Sequence, residues 1–285
     1  MKILVTGATG FIGNYVVDEL LKNTSVELIA TSRNIKKAKE FNWFNKVKYI
    51  QYDLDDNQDE DLYKLFNQPD KVIHLAWGGL PNYNDLMHIE KNLINHYKFV
   101  KNLVMNGLKD ITITGTCLEY GMINGCLKES LIPAPSNSYA IAKNSMQNFM
   151  IELEKKFDFN YKWIRLFYMY GEGQSKKSLL SLLDSAIKNE DTTFNMSRGE
   201  QLRDFLHVGE VAKNIILISL QSIYTNEVIN CCSSMPISIR SLVENYLNEK
   251  KYSLKLNLGF YPYPDYEPMA FWGDNSKLKE IKRGK

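Results

Sequence analysis

Seven residues near the start of the chain, Gly7-Ala-Thr-Gly10-Phe-Ile-Gly13, stand directly between a short apolar run, KILVT at 2–6, and a helical pattern over 11–21. Glycines in that place permit a tight turn and let backbone N–H groups approach a pyrophosphate at the positive end of a helix. With 16 glycines in 285 residues, chance supplies this spacing about 0.05 times. Further strand signals follow at 27–31, 47–52, 71–76, 111–116 and 161–167, and helical patterns cover 85–104 and 139–156. Apolar strands separated by helices read as βαβ units, hence a parallel sheet covered on both faces.

Beyond residue 167 the regularity breaks. The segment 170–203 is polar with one helix at 179–189, a second helix is predicted at 208–220, and a late strand at 228–231. The tail 261–271, YPYPDYEPMAF, holds three prolines and three tyrosines and reads as an ordered loop. The expected fold is therefore α/β, a Rossmann-type doubly wound parallel sheet with a smaller mixed C-terminal substrate-binding region. The expected division gives 1–168 plus 207–232 to a dinucleotide-binding domain and 169–206 plus 233–285 to the substrate-binding region.

Composition removes several classes of function. Thirty-five Lys and Arg against thirty-three Asp and Glu leave a net charge of +2, which supplies no field for nucleic acid or an anionic membrane. An apolar content of 44% with 24% charge excludes wholesale disorder. No apolar run approaches the ~20 residues of a membrane helix, and MKILVTG lacks the pattern of a secretory signal. Cys117, Cys126, Cys231 and Cys232 form no Cys-x-x-Cys pair, and the four histidines are scattered, so no metal site is expected. A soluble, cytoplasmic protein is the expectation.

The end of the second strand bears on which dinucleotide is held. An acidic residue there would accept from the ribose of NAD and repel a 2′-phosphate. Thr31-Ser32-Arg33 instead offers two hydroxyls and a guanidinium suited to phosphate, which favours NADP(H); a solvated surface arginine is the alternative. Tyr139 and Lys143, four apart, share one face of a predicted helix, so hydroxyl and ammonium can meet in one site. A nearby ammonium favours an ionised phenol, making a tyrosine usable as acid or base near neutrality. Tyr97 and Lys101 have the same spacing, but they precede the fifth strand and read as a helix–helix surface. Tyr139 follows Thr116-Cys-Leu-Glu-Tyr120-Gly121, which closes that strand where an active-site hydroxyl is wanted.

These residues resemble the extended short-chain dehydrogenase/reductases, the nucleotide-sugar epimerases, dehydratases and reductases. The resemblance rests on the loop T-G-x-x-G-F-I-G, His74-Leu75-Ala76, Asn92, Thr116 four residues before Tyr120-Gly121, and Tyr139-xxx-Lys143. It continues through Arg165, Phe167, Tyr170 and Gly171, the segment Gly199-Glu-Gln-x-Arg203-Asp204-Phe205, and Asp274-Asn-Ser-Lys277-Leu278, nearly the whole chain. It implies that Gly7, Thr9, Gly10, Phe11, Ile12, Gly13, Ser32, Arg33, Leu75, Ala76, Tyr139 and Lys143 bind the cofactor, with Asp53 and Leu54 at the adenine. It further implies that Thr116 bonds the sugar oxygen, Tyr139 transfers the proton, and Lys143 holds the nicotinamide ribose and lowers the Tyr139 pKa. Arg203 would clamp the nucleotide diphosphate, though read alone it is equally a structural salt-bridge residue; Tyr168 would line the sugar pocket.

Departures narrow the reaction. Family 4,6-dehydratases carry Asp-Glu after the active-site threonine; Cys117-Leu118 cannot serve that elimination. Epimerases retain NAD, against which Ser32-Arg33 argue. Trp77 replaces a small residue and Tyr168 a common asparagine, pointing to a reshaped sugar pocket roofed by 168–174 and 261–271. Glu119 reads as a sugar contact or a solvated loop acid, Cys231-Cys232 as packing, and His207 as a helix-start residue. The expected activity is NADPH-dependent reduction of a nucleotide-linked 4-keto-6-deoxy sugar, feeding bacterial surface glycans such as O-antigen. A homodimer built through 85–104 and 139–156 is expected. The alternatives are an NAD-dependent nucleotide-sugar 4-epimerase, a non-catalytic NADP(H)-sensing protein (against which Tyr139-xxx-Lys143 argues), and reduction of a non-nucleotide carbonyl.

Overall fold

Alternation within the first strand, Lys2–Thr6, divides the interior in two. Ile3 and Val5 face one side of the sheet, while Leu4 faces the other, and all three are buried. The Ile3 side packs under the helices Phe11–Leu20 and Val208–Leu220 through Val16, Val17, Val211 and Ile215. The Leu4 side packs under Ile94–Met105 and Ser138–Glu154 through Phe99, Leu103, Met146 and Met150. The computed structural model describes residues 1–56, 60–263, 265 and 267–284.

The large sheet has seven parallel strands: Lys2–Thr6, Glu27–Ser32, Lys48–Gln51, Lys71–His74, Asp110–Thr116, Asn160–Leu166 and Glu227–Cys231. Numbered in that sequence, their spatial order is seventh, sixth, fifth, fourth, first, second, third. The first strand thus lies between the second and fourth, with Thr6 opposite both Thr31 and His74. At such a switch point the chain departs in opposite directions and leaves a crevice beyond the strand ends. The fold is the expected doubly wound α/β arrangement.

Two boundaries differ instructively. The fourth strand stops at His74 because the N–H groups of Leu75 and Ala76 donate to Thr6 Oγ1, at 3.2 and 3.3 Å, instead of to the sheet. The helix expected over 85–104 is a π-helical segment, His88–Leu93, running into the α-helix Ile94–Met105. Asn92 is buried in that segment and donates to Gly78 O at 2.9 Å; hydrophobic periodicity carries no signal for this widening.

The smaller region is mixed. The strands Tyr168–Tyr170, Leu202–His207 and Pro236–Ser238 form one sheet, Thr193–Met196 pairs with Lys255–Leu258, and Gly125–Leu127 pairs with Phe271–Gly273. Leu180, Leu183, Val243 and Leu247 give it a core of its own. The segment 170–203 therefore holds strands as well as its helix, Leu179–Lys188. One division needs correcting: the last helix, Ser276–Arg283, expected in the substrate-binding region, buries Leu278 and Ile281 in the same cluster as Val211, Ile215 and Ile229. Its apolar face returns to the core on the Ile3 side of the large sheet. Among the described residues no helix is long and apolar enough to cross a membrane, and no cluster of His, Cys, Asp or Glu could hold a metal ion.

Candidate active site

A cleft of about 460 Å³ opens at the switch point. Gly7, Thr9 and Gly10 line it beside Thr31, Ser32 and Arg33, with Asp53, Leu54, Leu75 and Ala76, whereas Tyr139 and Lys143, also expected to meet the cofactor, do not line it. Gly7 has φ of 66°, and a Cβ on it would lie 2.8 Å from the Ala76 nitrogen. Only glycine permits that approach. Gly10 caps the helix Phe11–Leu20 without any side-chain bond, and no acid stands in its first turn, so its leading N–H groups have no side-chain cap. Gly13, Phe11 and Ile12 do not line the cleft. A Cβ on Gly13 would meet Gly7 O at 2.2 Å, Ile12 packs on the core, and Phe11 stands edge-on to Tyr15. They shape the loop from behind.

The cleft fits a dinucleotide on its own evidence. The Thr31 and Tyr52 hydroxyls are buried along it with no hydrogen-bond partner, and the Arg33 side chain is exposed at its rim. Ser32 is engaged with Tyr49, Oγ to OH at 2.9 Å. Lys37 and Lys91 also line the cleft, the latter paired with Asp55 at 2.7 Å.

Trp77 forms the wall between this cleft and the catalytic candidates. Its ring lies 6.0 Å from that of Tyr139, and the Lys143 ammonium sits 3.9 Å above it. Tyr139 and Lys143 both emerge, buried, from the first turns of Ser138–Glu154, a helix capped by Asn137 accepting from Ala140 N at 2.9 Å. Lys143 Nζ donates to Thr114 O at 2.8 Å. Thr116 closes the fifth strand, and its side chain is the group that eases the Tyr139 phenol downward.

The expected acidification of that phenol by its lysine is not what the structure shows. Burial, followed by Tyr83, Glu119 and Cys117, pushes Tyr139 up, with only the Thr116 hydrogen bond opposing. Burial also brings Lys143 down to about 7, against the pull of Glu119. In a site this dry, desolvation is the largest influence on both groups.

Glu119 departs from both expectations: it is fully buried and touches neither solvent nor a sugar pocket. It accepts from Thr116 N at 2.8 Å, from Trp163 Nε1 at 3.1 Å and from Arg165 Nε at 2.7 Å. This carboxylate fixes the strand end that carries Thr116. Arg203 is buried, stacks 4.5 Å from the centre of the Phe271 ring and pairs with Glu267 at 3.0 Å, as in the salt-bridge alternative. The same carboxylate accepts from the Tyr168 hydroxyl, so Glu267 joins the two expected substrate contacts. Sequence reading missed Glu267 because nothing local distinguishes one acid in a proline-rich tail. Of that tail, residues 264 and 266 lie outside the described residues. His207 caps Val208–Leu220, its Nδ1 accepting from Gly209 N, and Cys231 and Cys232 are buried packing. Tyr97 packs against Phe149 on the neighbouring helix and does not line the cleft.

Comparison with known proteins adds an independent line. The sequence model of the NAD dependent epimerase/dehydratase family matches residues 3–232. The chain is 30% identical, over 96% of its length and 99% of the relative, to a dTDP-6-deoxy-L-talose 4-dehydrogenase (NAD(+)) of Aggregatibacter actinomycetemcomitans. It is 24% identical, over 90% of its length and 84% of the relative, to a dTDP-4-dehydro-6-deoxyglucose reductase of Escherichia coli. Among solved structures, a UDP-glucuronic acid 4-epimerase from Bacillus cereus, in complex with UDP-glucuronic acid and NAD, superposes with a TM-score of 0.83. That likeness covers 99% of this chain and 93% of that one at 24% identity, and it shows a shared fold.

Proposed function

The chain belongs to the NAD dependent epimerase/dehydratase family, and from that premise we propose that it uses NADPH to reduce the ketone of a nucleotide-linked 4-keto-6-deoxy sugar. That it is an enzyme of the nucleotide-sugar oxidoreductases and epimerases follows from the family; the direction and coenzyme are our reading. The observation that carries it is the pairing of an acid-free second strand end, with Arg33 exposed at the rim, with Thr116, Tyr139 and Lys143 gathered behind Trp77. The chemistry a reduced nicotinamide dinucleotide supplies when bound is hydride transfer.

The residues of the chain do the rest. Gly7, Thr9 and Gly10 would seat the pyrophosphate, Asp53 and Leu54 the adenine, and Arg33 with Ser32 the 2′-phosphate. Thr116 would donate to the ketone oxygen and stabilise charge growing there. Tyr139, kept protonated by burial, holds the proton that this oxygen needs. A high phenol pKa suits a proton donor, and the buried surroundings exclude water that would compete for it. Lys143 would hold the nicotinamide ribose. Arg203 and Tyr168, released from Glu267, would meet the diphosphate and sugar.

A second reading keeps the residues and changes the coenzyme: the talose 4-dehydrogenase relative carries NAD(+) in its name, and an NAD-dependent 4-epimerase would use the same three side chains. A homodimer fits the exposed apolar residues Ile94, Met105 and Ile141 on the helices Ile94–Met105 and Ser138–Glu154. A cytoplasmic role in supplying deoxysugars for surface polysaccharide completes the proposal. Incubation of the enzyme with a panel of nucleotide-linked 4-keto sugars and either NADPH or NADH, followed by coenzyme absorbance, tests it. NADPH consumption with a 4-keto-6-deoxy sugar is expected. Tightly bound NAD with interconversion of 4-epimers and no NADPH consumption would replace it with the second reading.

A further inference from the structure

Trp77 is held on every side. Its Nε1 donates to His88 Nδ1 at 3.1 Å, and its ring stacks on His96 at 4.5 Å between centroids, with planes 26° apart. His96 is in turn fixed by His74, Nδ1 to Nε2 at 2.7 Å, and His74 by Thr6 Oγ1 at 2.8 Å. Asn92 reaches His88 and binds Gly78 O, so the π-helical segment braces the same ring. The indole so placed lies 3.9 Å beneath the Lys143 ammonium, and it also lines the dinucleotide cleft.

Resting on the site assignment above, we propose that Trp77 is the positioning residue for Lys143: its braced indole carries the ammonium on its face at the edge of the cleft, and so fixes both the place and the charge of that cation. An aromatic face favours the charged over the neutral amine, and does so most strongly where water is excluded. The need is evident from the surroundings. Thr114 O offers a single acceptor from the fifth strand. The neutral imidazoles of His74 and His96 face the amine from the fourth strand and the following helix. The Tyr139 ring lies 6.0 Å away on its own helix, and Glu119, behind the strand end, is the opposite charge that supports it. Burial in that company pulls Lys143 toward its neutral form. The indole supplies the compensation from the side on which the cleft lies.

The test has two arms. Trp77 fluorescence in the protein without coenzyme, isolated from Trp43, Trp163 and Trp272 by subtracting the Trp77→Phe signal, should show a pH transition that disappears in Lys143→Met. A transition that persists in Lys143→Met would assign it to another group, and a flat signal would remove the coupling; either overturns the proposal. In turnover, Trp77→Leu should move the alkaline limb of the rate profile toward acid by about one pH unit, a tenfold change in amine protonation. Trp77→Tyr, which restores a π face, should recover most of that shift. A uniform loss of rate with an unmoved limb in both variants would show that the indole only fills space. Absence of ketone reduction in the wild type would defeat the proposed function while leaving the fluorescence arm to decide this one.

Discussion

Lowering the pH from about 7.5 to about 5 should strip about 2 kcal/mol from the folding free energy through His74, and more through His96, which is displaced in the same direction. Leu75 N and Ala76 N donate to Thr6 Oγ1, leaving its O–H to donate to His74 Nδ1; the His74 proton then sits on Nε2, facing His96 Nδ1. Burial pushes His74 down to about 3 and His96 down as well, with Lys143 opposing a further positive charge. Both imidazoles are therefore neutral in the folded protein, whereas in the unfolded chain each takes a proton near pH ~6.5. Between the two values the unfolded state binds more protons, so stability falls as the pH drops below ~6.5. At pH ~5 the unfolded chain gains about 2 kcal/mol through His74, and His96 acts in the same direction. Against a typical total of ~5–15 kcal/mol this is a large share. Urea denaturation at both pH values, on the wild type and His96→Gln, isolates the contribution, because Gln keeps an acceptor for His74 while carboxylates and Lys143 cancel in the difference. The variant should show a smaller pH dependence than the wild type. Equal pH dependence in the two proteins would refute the reasoning.

Three other outcomes are expected. Arg33→Asp should reduce kcat/KM with NADPH by about 10–100-fold while sparing NADH, measured as the ratio of the two; an unchanged ratio removes the 2′-phosphate assignment. Tyr139→Phe should lower kcat by about 10²–10⁴ while the dissociation constant for the coenzyme, read by calorimetry, stays put; a comparable loss of coenzyme binding would make Tyr139 a structural residue instead. Glu119→Ala leaves Arg165 buried without its partner and should cost about 3–5 kcal/mol in chemical denaturation; a loss below ~1 kcal/mol would mean that water reaches the guanidinium.

The sheet and the phosphate loop were legible because their determinants are local. Gly7 needs a positive φ and space beside Ala76, and a strand buried on both faces must be apolar through its centre, as Ile3-Leu4-Val5 is. Tyr139-xxx-Lys143 was legible from helical spacing joined to its place after Thr116. What lies between them was less so. Trp77 was visible only as a departure, and its contact with Lys143 depends on His88 and His96, whose positions follow from a π-helical segment with no periodic signature. The electrostatic sign at Tyr139 was misjudged because sequence shows which charges are near in the chain and says nothing about how dry the site is. Glu119 was given the wrong surroundings and Glu267 was missed for the same reason. Each is an ordinary acid in sequence, and each acquires its role from an arginine 46 or 64 residues away.

The return of the last helix to the first core changes what the tail is. Before it, Lys255–Leu258 pairs with Thr193–Met196; after it, Phe271–Gly273 pairs with Gly125–Leu127, and Leu278 and Ile281 plug into the opposite half of the molecule. The stretch bearing Glu267 is thus a bridge moored on both banks. A nick within it would leave both moorings in place, whereas deleting the final helix would cast one of them off and unroof the nucleotide half at the same stroke.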